Sequence, residues 1–210
     1  MIILRLERAI KEAWGKTEKE FLDKKCPRSL FWTESAALVH PFYCNLKKIM
    51  EEKNLIGRYQ IVTEYNPKTP GNAECSEKDI KERGDTECGC KNPKKIKLKH
   101  AKRIDLCILE FEKEIDLKEG DNRSIWCFNP KIVAAMEFKS LWNLKEDNKN
   151  LIKKDIKKLL EIGKKYNTEL LYMCFTAEVN KKDLLGYVKK FKRIKFAVGY
   201  YDKKWYFETL

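Results

Sequence analysis

Residues 131–139 read KIVAAMEFK. The apolar run Ile132–Met136 predicts a buried strand, and Glu137, Phe138 and Lys139 close it. Side chains alternate faces along a strand, so Glu137 and Lys139 share a face. A carboxylate at such a place is costly unless it is paired or holds a metal ion.

The chain sorts into elements on either side of this strand. Downstream, residues 148–165 predict an amphipathic helix with Leu151, Ile152, Ile156, Leu159 and Leu160 on its apolar side. ELLYMCFT (169–176) predicts a strand covered on both faces. A helix at 181–191 and strands at 194–201 and 204–208 complete that half, with a turn at Asp202-Lys203. Upstream, SIWCF (124–128), RIDLCILEF (103–111) and RYQIVTEY (58–65) read as strands. A helix from Thr33 or Ser35 to about Lys53 carries Leu38, Phe42, Leu46 and Ile49 at helical spacing; Pro41 is expected to kink it or delay its start. Residues 1–24 read as one or two helices, with Thr17 and Glu20 as a capping box after Gly15. The order implies an α/β fold with a central mixed sheet and helices on both faces. Residues 66–100 break the pattern and read as a cysteine-containing insertion.

The 210 residues carry a formal charge of +13, with 43% hydrophobic and 11% aromatic residues. That composition excludes a disordered chain and favours a polyanionic partner, nucleic acid first and an anionic membrane surface second. No stretch is long and apolar enough to span a bilayer, and MIILRLERAI is too short for a signal-peptide core, so a cytoplasmic protein is expected. The Lys, Glu and Ile content, with Gln60 as sole glutamine, matches hyperthermophile usage and equally an AT-rich genome.

A second acid, Asp105, interrupts an apolar strand between Ile104 and Leu106, and Glu34 falls at the start of the helix before the strands. Helix with Glu, hairpin with Asp on its second strand, then a strand ending in Glu-x-Lys: this resembles the PD-(D/E)XK nuclease superfamily, the restriction-endonuclease-like fold. The likeness runs from about residue 33 to 191, and Ile104 stands where the motif often has Pro. It implies a helical segment at 1–32 and a nuclease-like domain at 33–210. It further implies an endonuclease hydrolysing phosphodiester bonds, in DNA ahead of RNA, with Mg²⁺ or Mn²⁺. Asp105 and Glu137 would hold the metal with the Phe138 backbone carbonyl, Lys139 would serve the attacking water, and Glu34 would support the site. Glu64 is a secondary candidate. A homodimer and packing of the N-terminal helix on the domain both fit. The alternative is a nucleic-acid-binding or assembly module of the same fold that does not cut.

Cys75, Cys88 and Cys90 form C-x12-C-x-C; a structural zinc site would need a fourth ligand such as Cys26 or His100, and free thiols or a loop disulfide are the other readings. Cys44, Cys107, Cys127 and Cys174 read as small core residues and His40 as a packed one. No Cys–His pairing suited to a nucleophile is evident. Lys95, Lys97, Lys99, Lys102 and Arg103 lead into the Asp105 strand, and Lys189–Lys195 forms a second basic run. Both read as phosphate contacts or as solvated faces. The terminal YYDKKWYFETL reads as an edge strand.

Overall fold

The computed structural model describes residues 2–23, 36–65, 104–111, 130–141 and 143–210. Its elements are α1 (Ile2–Asp23), α2 (Ala36–Glu52), β1 (Tyr59–Tyr65), β2 (Ile104–Glu110), β3 (Lys131–Leu141), α3 (Glu146–Tyr166), β4 (Leu170–Ala177), α4 (Lys181–Val188), β5 (Lys195–Asp202) and β6 (Lys204–Thr209). The predicted strand at 124–128 lies outside the described residues.

Among the described residues, one six-stranded sheet runs in chain order from β1 to β6. β1, β2 and β3 are antiparallel neighbours; β3, β4 and β5 are parallel; β6 returns antiparallel. The strand quoted first is therefore where a meander changes into a helix-connected parallel sheet. A bulge interrupts the pairing of β2 and β3: Ile108 faces Ala134 while Leu109 faces Ile132, so Val133 is the extra residue.

The sheet separates two apolar cores. On one side, Ala134, Met136 and Phe138 of β3 pack with Leu6, Ile10 and Trp14 of α1 and with Leu38, Phe42 and Leu46 of α2. On the other, Ile132, Ala135 and Leu141 join Ile152, Ile156 and Leu159 of α3 and Leu184, Tyr187 and Val188 of α4. Every residue of β4 is buried, as its unbroken apolar run predicts.

The structure corrects several readings. α1 runs unbroken through Gly15. Leu6, Ala9, Ile10, Ala13 and Trp14 form one buried stripe, and tertiary packing carries the helix across the glycine. Thr17 does not cap: its hydroxyl donates to the Ala13 carbonyl at 2.8 Å and accepts from the Asn45 amide at 3.2 Å. α2 starts at Ala36 and keeps Pro41 inside. α4 ends at Val188, short of the expected residue 191.

In α3 the buried stripe is Ile152, Asp155, Ile156, Leu159, Ile162 and Gly163, whereas Leu151 is exposed. Gly163 brings this helix close to the sheet. A Cβ there would stand 2.6 Å from Leu171 Cδ1, so the glycine permits the approach. Asn167, at φ 52°, ends the helix, and its N–H bonds the Gly163 carbonyl. Glu146 and Asp147 in the first turn and Lys164 and Lys165 in the last complement the helix dipole.

Candidate functional site

Glu137 lies in β3, on the face that α3 covers. It is 1% exposed. Desolvation, followed by the nearby charge of Asp105, raises its pKa from the ordinary 4.5 to about 8, against the lowering effect of Lys158. Lys158 of α3 forms an ion pair with Glu137 Oε2. The other carboxylate oxygen, Oε1, is buried with no hydrogen-bond partner.

Asp105 reaches the same place from β2. The backbone pairing of β2 with β3 extends as far as Leu106–Met136. Beyond it, Asp105 Oδ2 accepts a 2.7 Å hydrogen bond from the Phe138 N–H, so a side chain continues what the ladder leaves off. That bond clamps Asp105 against the strand that carries Glu137 and Lys139. Asp105, Glu137 and Lys139 are thus brought together where β2 meets β3. Phe138 contributes its N–H to this arrangement, and its ring packs into the opposite core, 5.4 Å from Phe42.

Lys139 projects from the same face. Its ammonium stands 3.3 Å from Asp155 Oδ2 on α3, with its side chain about one-third exposed (35%). Lys158 lies between the two acids, with Asp155 Oδ1 at 4.0 Å. The result is an alternating row, Glu137–Lys158–Asp155–Lys139, with Asp105 flanking Glu137.

Asp155 and Lys158 are the residues that reading the sequence missed. Both sit in a helix crowded with lysines, where a solvated role is the default. One signal was there: Asp155 occupies a position of the i, i+3, i+4, i+7 stripe beside Ile152, Ile156 and Leu159, where an acid needs a partner.

The register of β1 on β2, with Thr63 opposite Leu106 and Tyr65 opposite Ile104, sets the Glu64 backbone across from Asp105. Glu34, Cys26, Cys75, Cys88, Cys90, Cys127, His100, Lys95, Lys97, Lys99, Lys102 and Arg103 lie outside the described residues; so do residues 66–100. α2, which Glu34 precedes in the chain, covers the sheet face opposite the acids.

Cys107 and Cys174 are buried, as expected, and burial pushes both thiols up, helped by the charges of Glu137 and Asp105. Cys44 and His40 are corrected: both are exposed, with Sγ and Nε2 3.7 Å apart. Leu38, Phe42 and Leu46 face the core, so residues 40 and 44 point away from it.

Among the described residues, no group of three His, Cys, Asp or Glu side chains forms a ready cage for a metal ion. Magnesium does not need one: it binds through one or two carboxylates, several waters and substrate phosphate. Asp105 and Glu137 would be its carboxylates, and the unpartnered Glu137 Oε1 is an oxygen that a cation would satisfy. The donor set therefore fits a hard divalent ion. No helix among the described residues is long and apolar enough to cross a membrane. Compared with models of known protein families, with curated proteins and with solved structures, the chain finds no match.

Proposed function

We propose that this chain is a metal-dependent nuclease of the PD-(D/E)XK type that hydrolyses phosphodiester bonds in DNA. The observation that carries the reading is the clamp of Asp105 onto the Phe138 N–H beside buried Glu137, with Lys139 on the same face. The element order supports it: helix, a three-stranded antiparallel meander, helix, then a parallel strand.

Bound Mg²⁺ or Mn²⁺ would neutralise charge on the scissile phosphate and lower the pKa of a water molecule. Asp105 and Glu137 would hold that ion. The Phe138 N–H fixes the Asp105 carboxylate in place, which spares the cost of ordering it when the ion arrives. Lys139, partly exposed and steadied by Asp155, would orient the attacking water and stabilise charge developing on the phosphate.

A second reading has its own observation. The row Glu137–Lys158–Asp155–Lys139 already gives these charges partners without a metal, as a non-cleaving nucleic-acid-binding module would require. One experiment separates the two. Supercoiled plasmid, linear duplex and single-stranded DNA are incubated with the protein in Mg²⁺, Mn²⁺ or EDTA, beside Glu137→Ala and Lys139→Ala. The nuclease reading expects metal-dependent cutting that both substitutions abolish. Binding without cutting in either metal assigns the chain to the module.

A further inference from the structure

From the pairing of Lys158 with Glu137 we infer that Lys158 is a displaceable internal cation, which a divalent ion must evict from Glu137 in order to bind. This rests on the metal-dependent reading above and adds a regulatory step to it.

The argument starts from cost. A carboxylate as buried as Glu137 is stable in the folded protein only when neutralised. A proton does so at lower pH, and for the ionised form Lys158 does so across the interface between α3 and β3. A divalent cation on the neighbouring Oε1 would stand beside that ammonium on Oε2, and two cations so close at one buried carboxylate repel each other. The ammonium is the mobile partner. It ends a four-carbon stem, whereas Glu137 is fixed in a central strand between β2 and β4.

The surroundings give the released group somewhere to go. Its side chain is already 17% exposed, so a path to solvent is open. Asp155 Oδ1, three residues back on the same helix, lies 4.0 Å away. The site thus keeps its acids neutralised while empty of cation. It pays for loading with the loss of one ion pair, so cation affinity is set partly by α3 and not by the two carboxylates alone.

The test reads Lys158 directly. Limited dimethylation of lysines with formaldehyde and cyanoborohydride, quantified residue by residue by mass spectrometry, is run with and without saturating MgCl2. Calorimetric titration of the same protein with Mg²⁺ fixes the saturating concentration. Lys154 and Lys157, on the exposed side of the helix, are internal controls. The expected result is slow labelling of Lys158 without cation and severalfold faster labelling with it, the controls unchanged. Glu137→Gln should make Lys158 fast in both conditions. Lys158 labelling that stays constant while calorimetry shows saturation overturns the inference and leaves the metal site standing. Absence of any binding heat and of any labelling change overturns the metal reading and the inference together. The decisive comparison uses the unaltered protein, so it does not depend on how the variant folds.

Discussion

Glu137 is a residue whose protonation is coupled to the fold. Its pKa is raised from 4.5 to about 8, chiefly by desolvation. Between those values the folded protein keeps a proton that the unfolded chain has released. Stability from this group therefore falls as pH rises through the window, by at most about 1.4 kcal/mol per pH unit. Urea midpoints at intervals from pH 5 to 8 in EDTA should show that fall, and Glu137→Gln should flatten it. Parallel slopes would mean that Glu137 stays ionised and paired throughout. The cysteines give a second residue-level prediction. Iodoacetamide should modify exposed Cys44 in the native protein but reach buried Cys107 and Cys174 only after unfolding, as peptide mass mapping would read. At this scale the sequence was legible where a residue broke an apolar frame, as Asp105 and Glu137 do. It misled at Cys44 and His40, because neighbouring apolar residues say little about which side of a helix a position occupies.

At the scale of elements, apolar runs made β3 and β4 legible, since burial on both faces imposes that pattern directly. Gly15 misdirected the reading, and Pro41 sits inside a helix, for one shared reason: local propensity lost to packing. The stripe from Leu6 to Trp14 outweighs a glycine in α1, and Leu38, Phe42 and Leu46 hold α2 together around its proline. That proline lacks an N–H to donate and crowds the preceding turn. Pro41→Ala should therefore raise stability by about 1–3 kcal/mol, read as a higher urea midpoint at unchanged slope. A lower midpoint would show that Pro41 fixes a bend on which the packing against Phe138 depends. The α3 stripe makes the opposite case. Leu159 is fully buried between helix and sheet, so Leu159→Ala should cost about 2–5 kcal/mol in the same assay.

For the whole molecule the charge of +13 is the dominant property, and it bears on partner and not on fold. Part of it gathers at one place. A cleft of about 750 Å³ opens at the carboxyl ends of the parallel strands β3 and β4, where Lys145, Lys149, Lys182 and Lys190 outnumber the acids Glu178 and Asp183. Ligands of open α/β sheets characteristically settle at that end of the strands. The lysines come from the start of α3, the start of α4 and the turn that follows α4. Only Lys190 belongs to a basic run of the sequence, 189–195, and folding brings the other three lysines to it. If the cleft follows a phosphate backbone, duplex affinity should fall steeply with salt, since each neutralised phosphate contributes a log–log slope of about −0.9. Anisotropy titrations of a fluorescent duplex across a NaCl series, in EDTA to prevent cutting, would measure that slope. Replacing Lys145, Lys149 and Lys182 together by Gln should weaken binding and make the slope shallower by about 2–3. The same variant should keep the Mg²⁺ binding heat of the parent, because none of the three touches the acid cluster. An unchanged slope would move the phosphate contacts to another face, whereas a slope and a binding heat lost together would show that cleft and acids form one site.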